Sequence, residues 1–154
     1  MTETLKFKVE VTAEYWNKVP EYLISIHDAN SNFVAGMTES CYISGQHAEY
    51  EFDASLVPGT YSLRVALLNK GNGDTVVEQG KIVKDLRLNV HRVSIGGVDL
   101  HMLIQKAGVY LLDKPQEFDG QIITRIPGAI NMGWNGYYSL IFTSPYYHWL
   151  LENL

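Results

Sequence analysis

The sequence predicts an all-β protein, an antiparallel jelly-roll β-sandwich with a short C-terminal helix. Three observations predict this fold. Apolar and polar residues alternate with a period of two in several short segments, turn residues separate these segments, and no segment shows the β-α-β order of a parallel sheet. The 154 residues fit one domain, residues 1–154, of which residues 143–154 form a helical tail.

The first half of the chain contains five predicted strands. In the first strand, Leu5, Phe7, Val9 and Val11 alternate with polar residues, so one face of the strand points inward. The same alternation predicts four more strands, at residues 22–26, 33–37, 48–52 and 61–67. Pro58-Gly59 is a turn signal before the last of them, and the glycines of residues 70–74 indicate a loop.

In the second half, apolar and polar residues alternate over residues 86–95, but the alternation shifts by one residue at Arg92. This shift predicts a strand with a β-bulge. Gly96-Gly97 then turns the chain into a predicted strand over residues 98–104. Further strands are predicted at residues 108–112, 121–126 and 137–142.

The C-terminal residues predict a helix that starts with Ser144 as the N-cap and Pro145 at the first helical position. Its apolar residues recur at i, i+3, i+4 and i+7, and such a short helix must pack on the sandwich or on a neighbouring subunit. The predicted core plug or interface consists of Tyr147, Trp149, Leu150, Leu151 and Leu154.

The composition argues against several classes of partner. The net charge is −5, and no basic cluster could neutralise several phosphates, so we expect no nucleic acid and no anionic membrane as partners. Cys41 is the only cysteine and cannot form an intramolecular disulfide. The N-terminus has no signal-peptide pattern, which predicts a virion location, or a cytoplasmic one before assembly.

Catalytic and metal-binding patterns are weak. The sequence has no nucleophile-elbow pattern, and the five histidines stand too far apart to offer paired ligands. Residues 28–32 and 117–120 are oxygen-rich but lack the regular spacing of an EF-hand loop. We therefore predict no catalysis and no cofactor, and leave calcium at these loops as an open alternative.

Aromatic residues give the clearest functional signal. Two segments combine a tryptophan with an asparagine. This pair suits carbohydrate, because a sugar ring stacks on an indole while its hydroxyls bond to amides. The carbohydrate-binding residues predicted from these segments are Tyr15, Trp16, Asn17, Trp134, Asn135 and Tyr137. The alternative is that these tryptophans close the core or an interface.

Four segments, residues 13–20, 61–69, 71–74 and 84–98, together resemble the calcium-dependent xylan-binding carbohydrate-binding modules. The resemblance implies a jelly-roll sandwich without catalysis that binds polysaccharide through a loop calcium and polar groups. The acidic, glycine-rich calcium loop that those modules carry near the C-terminus is missing here. The C-terminal third, with its Gly-Trp-Asn-Gly strand and final Trp-Leu-Leu-Glu-Asn-Leu, resembles the closing segment of small phage structural proteins.

The main prediction is a non-enzymatic structural or decoration protein of a phage-like virion or another large assembly, with capsid or tail subunits as partners. It depends on the apolar terminal helix, the start at Met1 and the lack of an export signal. The alternative prediction is a polysaccharide-binding module that recognises glycans through its Trp, Asn and Tyr loops.

Overall fold

The computed structural model describes all 154 residues and confirms the antiparallel β-sandwich. It has fourteen strands, one 3-10 turn at Asn72–Asp74 and two α-helices. The strands are β1 (Glu3–Glu14), β2 (Glu21–Asp28), β3 (Phe33–Gly36), β4 (Cys41–Tyr42), β5 (His47–Leu56), β6 (Gly59–Leu67), β7 (Val76–Glu78), β8 (Lys81–Lys84), β9 (Arg87–Ile95), β10 (Val98–Asp99), β11 (Gly108–Phe118), β12 (Gln121–Pro127), β13 (Asn131–Met132) and β14 (Gly136–Ser144). The helices are α1 (Leu103–Lys106) and α2 (Tyr146–Asn153).

Two sheets form the sandwich, and every strand pairing in them is antiparallel. The first sheet has the order β10-β9-β1-β5, with β13 also paired to β9. The second has the order β12-β11-β14-β6-β2-β3, with β4 also paired to β2. β7 and β8 form a separate hairpin.

The apolar core lies between the two sheets, as the alternation predicts. Phe7 of β1 is completely buried and stacks on Phe52 of the neighbouring strand, with ring centroids 5.4 Å apart. Across the core, its ring lies 5.7 Å from that of Phe142 on β14. These contacts join the inward faces of the two sheets, since β1 and β14 belong to different sheets.

The predicted bulge is present in β9. Glu10 pairs with Arg92, and the next residue of β1, Val11, pairs with Val90, so His91 has no partner. The extra residue allows Val90 and Val93 both to be buried. The phase slip in the sequence is therefore the signature of this bulge.

The strand predicted at residues 98–104 is wrong beyond Asp99. Asp99 accepts a hydrogen bond at 2.9 Å from the backbone N–H of His101, whose φ of 48° ends the extended conformation. One turn of helix, α1, follows and buries Leu103 and Ile104. A local side-chain hydrogen bond thus outweighs the apolar content of the segment.

The C-terminal helix exists, but its first turn differs from the prediction. Ser144 ends β14, and Pro145 precedes the helix with ψ at 126°. Instead of capping the helix, the Ser144 hydroxyl donates to Glu3, and the Glu3 carboxylate accepts the backbone N–H of Tyr146 at 2.7 Å. A carboxylate distant in sequence thus provides the cap.

The buried face of α2 is also displaced from the predicted stripe. Tyr146, Trp149 and Leu150 are buried, and the Tyr146 and Trp149 rings stack with their centroids 5.7 Å apart. Three residues of the predicted plug, Tyr147, Leu151 and Leu154, are exposed. Helix α2 therefore presents one apolar face to the core and another to solvent. No helix has the length and apolar character needed to cross a bilayer.

Candidate functional site

A cleft of about 550 Å³ opens where β6 ends and where β9 and β14 begin. The loop that follows β6 forms one side of it, and β11 forms another. Residues 133–135, which connect β13 to β14, complete its wall. Loops at one end of a rigid sandwich are typical places for binding sites, because the sheets hold them in fixed positions.

An ion pair lies deep in the cleft. Lys70 Nζ is 2.6 Å from Asp85 Oδ1, and the two side chains are 9% and 6% exposed. Thr75 Oγ1 also donates to this oxygen, at 2.7 Å. Burial by itself raises the pKa of the Asp85 carboxyl, but these hydrogen bonds outweigh burial and lower that pKa. Asp85 is therefore ionised and neutralised by Lys70.

Trp134 lies on the wall of the cleft, and its backbone is held by one buried tyrosine. The Tyr110 hydroxyl donates to the carbonyl of Trp134 and accepts the Trp134 N–H at 2.9 Å. Burial raises the pKa of Tyr110 to about 12, so the hydroxyl keeps its proton at neutral pH. Phe118 meets the indole edge-on, with ring centroids 5.2 Å apart. The indole is thus positioned before any ligand arrives.

Asn135 also lies in the cleft lining, but its amide is used internally. Asn135 Oδ1 accepts the backbone N–H of Lys70 at 2.7 Å, and Asn135 Nδ2 donates to the carbonyl of Lys70 at 2.9 Å. Both ends of the amide therefore fix the loop that carries Lys70. We assign Asn135 a positioning role.

Other polar side chains of the cleft have no hydrogen-bond or ion-pair partner in the protein. Three of them are amides and two are charged, and all five face the same cavity. They are Asn72, Asp113, Lys114, Gln116 and Asn131. The cleft can therefore donate and accept several hydrogen bonds beside an aromatic wall.

The first predicted segment, residues 15–17, packs on the 3-10 turn next to the cleft. Trp16 Nε1 donates to the Asp74 carbonyl at 2.9 Å, and Asn17 Nδ2 donates to the Asp74 carboxylate at 2.6 Å. The Trp16 ring is 45% exposed and lies under Lys84, whose Nζ is 4.8 Å from the ring centroid. Tyr15 donates instead to the Gly45 carbonyl at 2.8 Å. None of these three residues lines the cleft.

Tyr137 also lies away from the cleft. It alternates with the buried Tyr138 on β14 and therefore points to the outer face of the seven-stranded sheet. There the guanidinium of Arg64 stacks over its ring, 4.8 Å from the centroid. Of the six predicted carbohydrate-binding residues, the structure places Trp134 and Asn135 together in the cleft.

The carboxylates of the cleft and of the loop at residues 28–32 do not fit a calcium ion. Calcium takes six to eight oxygen ligands, yet nowhere do three or more acidic, histidine or cysteine side chains converge. In the oxygen-rich loop at residues 28–32, Asp28 Oδ1 already accepts the N–H groups of Asn30 and Asn32, both at 2.9 Å. In the cleft, Asp85 is already paired with Lys70.

The sequence did not reveal several residues of the cleft. Asp85, Gln116 and Asn131 come from segments distant in sequence, and each looks like an ordinary polar residue near a strand end. Lys70 stands in a glycine-rich segment that indicates only a loop. The one available signal was that polar residues cluster where several predicted strands begin or end.

No protein-family model matches the chain, and no curated protein matches it. Among solved structures, the chain is similar to the selenomethionine form of vCBM60, from work on two families of calcium-dependent carbohydrate-binding modules linked by circular permutation. That match has 14% identity and a TM-score of 0.51, over 88% of this chain and 89% of that chain. vCBM60 in complex with galactobiose matches at 15% identity with a TM-score of 0.49, over 88% of this chain and 96% of that chain. The first match establishes the likeness in fold: this chain has a β-sandwich like that of a carbohydrate-binding module.

Proposed function

We propose that the protein is a non-catalytic module that binds polysaccharide in the cleft beside Trp134. The observation that carries this proposal is the combination, in one cavity, of a fixed indole with amides that have no protein partner. An indole offers a face for the C–H groups of a sugar, and free amides bond to its hydroxyls. The likeness in fold to a carbohydrate-binding module supports the proposal.

The one buried carboxyl group of the cleft, Asp85, is not suited to act as the general acid of glycoside hydrolysis. That reaction needs a carboxyl group whose pKa is raised, so that it can act as a general acid. The pKa of Asp85 is lowered, against the effect of its burial, by Lys70 and Thr75. Asp85 therefore has no proton to donate at neutral pH, and we propose binding without turnover.

The test is a glycan array followed by isothermal titration calorimetry on the best ligand. Gln116→Ala and Asn131→Ala change side chains without internal hydrogen bonds and should leave folding within about 0.5 kcal/mol of wild type. If these amides bind sugar, each variant loses affinity by roughly tenfold, which is the effect of about 1.4 kcal/mol.

Trp134→Ala should weaken binding further, and circular dichroism must show that it remains folded. Tyr42→Ala is the matched control, because Tyr42 is an exposed aromatic residue on β4, outside the cleft. Retained affinity in all three cleft variants would contradict the proposal. So would an array without any bound glycan.

Assembly is a second candidate function, favoured by the outer face of α2. Tyr147, Leu151 and Leu154 are spaced at i, i+4 and i+7 and are 67%, 57% and 80% exposed. Such an apolar face is typical of subunit contacts. The virion or cytoplasmic location, with capsid or tail partners, stays a prediction, and the solved structures that match lend it no support.

A further inference from the structure

Asp74 and Asp85 are the two most deeply buried carboxylates of the protein, and both lie at the end of the sandwich that carries the cleft. Each forms an ion pair with a different lysine. Asp74 is 3% exposed and Asp85 is 6% exposed. Lys18 Nζ lies 2.8 Å from Asp74 Oδ2, and Lys70 Nζ lies 2.6 Å from Asp85 Oδ1. A buried carboxylate needs such compensation, because isolated charge is costly to bury.

Further donors and one more cation also lie next to these carboxylates. Asp74 accepts the Gly71 N–H and the Asn17 amide, both at 2.6 Å. Asp85 accepts Thr75 Oγ1 and the Leu86 N–H on the oxygen that binds Lys70, while Arg87 Nε lies 3.5 Å from its other oxygen. Of about four acceptor positions on a carboxylate, three are taken in each group, and the positive charges of Lys18, Lys70 and Arg87 beside them repel a metal ion.

Lys70 cannot easily leave Asp85 to admit a cation. Its side chain is 9% exposed, and Asn135 binds both its backbone N–H and its carbonyl. Moving the ammonium group out of the cleft would leave the buried Asp85 with only Arg87, 3.5 Å from its other oxygen, until a cation arrived. The nitrogen groups that surround Asp85 cannot replace oxygen as ligands for calcium.

We infer that Lys70 and Lys18 supply the positive charge that a divalent cation would otherwise have to supply to these carboxylates, so that the cleft functions without calcium. For glycan binding, this inference rests on the proposed function. For the cation itself it does not, because calcium binding can be measured without a glycan.

The first experiment measures the melting temperature of the whole protein in calcium chloride and in EDTA. A calcium site filled at a hundredfold excess over its dissociation constant would raise Tm by roughly 5–10 °C for a chain of this size. We expect the two values to agree within about 1 °C. A saturable rise of several degrees that disappears in Asp85→Asn, but persists in the control Asp53→Asn, would overturn the inference, since Asp53 is an exposed carboxylate on β5 outside the cleft.

The second experiment removes the ammonium group. Lys70→Met leaves Asp85 buried without its partner and should lower Tm by at least roughly 5 °C. The matched control is Lys114→Met, since Lys114 lines the same cleft without an ion pair. Equal melting temperatures for the two variants would contradict the inference. If Lys70→Met does not fold, the comparison of calcium with EDTA on the wild-type protein still decides it.

The third experiment repeats glycan binding in EDTA, where unchanged affinity is expected. Loss of binding in EDTA, restored by calcium, would overturn the inference while supporting glycan binding itself. A protein that binds no glycan in either buffer contradicts the proposed function, and the two melting experiments then still decide whether a cation is used.

Discussion

The hydroxyl of Tyr110 should contribute about twice as much to the free energy of unfolding as the hydroxyl of its cross-strand partner, Tyr138. Both tyrosines are completely buried and directly opposite each other on β11 and β14. The Tyr110 hydroxyl makes two hydrogen bonds to the backbone of Trp134, whereas the Tyr138 hydroxyl makes one, to the Ile104 carbonyl at 2.7 Å. At about 1 kcal/mol for each hydrogen bond, Tyr110→Phe should cost about 2–3 kcal/mol and Tyr138→Phe about 1–1.5 kcal/mol, each including the unpaired groups that it leaves.

Urea unfolding followed by tryptophan fluorescence measures both costs, and a thermal melt should separate the two variants by roughly 3–6 °C. Each substitution deletes one oxygen from a buried ring, so the effect of the small void is the same in both and cancels in the comparison. Tyr110→Phe should in addition weaken glycan binding, because Trp134 loses its fixed position. Equal stability of the two variants, or a larger loss in Tyr138→Phe, would refute the view that Tyr110 holds the wall of the cleft.

Three further predictions concern other parts of the chain. Although burial by itself raises the pKa of Asp74, the hydrogen bonds from Lys18, Gly71 and Asn17 hold it at about 2, below the ordinary value of 3.8. The resulting stability, on the order of 2 kcal/mol, is present above about pH 4 and lost as the pH falls towards 2. The free energies of unfolding of wild type and Asp74→Asn, measured with urea, should therefore converge in acid. A difference between them that does not change with pH would contradict this. Gly136→Ala should lower the free energy of unfolding by at least about 2–3 kcal/mol in the same assay. Gly136 has φ at +153°, and an added Cβ would lie 2.2 Å from the Leu111 carbonyl oxygen. Stability close to that of wild type would show that no such clash occurs. If the outer face of α2 mediates assembly, Leu151→Glu should reduce the mass measured by light scattering while the melting temperature stays within a few degrees, and an unchanged multimer would exclude that face.

Much of the fold could be predicted because the core is encoded by local alternation. Leu5, Phe7, Val9 and Val11 are all buried as their spacing indicates, and the slip at Arg92 marks a bulge that the structure contains. The short strands β4, β7, β8 and β13 were missed, because two to four residues are too few to show a period. The strand predicted beyond Asp99 failed for a different reason, since a side-chain hydrogen bond turned the chain there.

The candidate site was predictable only in part. Trp134 was identified because a tryptophan next to an asparagine suits a sugar ring, whereas Trp16 has the same Trp-Asn pair and packs beside the cleft without lining it. Asn135 was predicted to bind sugar, and in the structure both ends of its amide bond to the backbone of Lys70. Residue type alone does not reveal whether an amide is free or already bonded.

By itself, the sequence determined that the chain folds as an antiparallel β-sandwich, because periodicity along a strand decides which side chains can be buried together. Tertiary structure decided which polar groups are satisfied internally and which remain free for a ligand. It also decided which face of the last helix reaches the core, because its cap comes from Glu3 at the other end of the chain. These properties depend on contacts between residues far apart in sequence, and the local pattern that specifies a strand carries no information about such contacts.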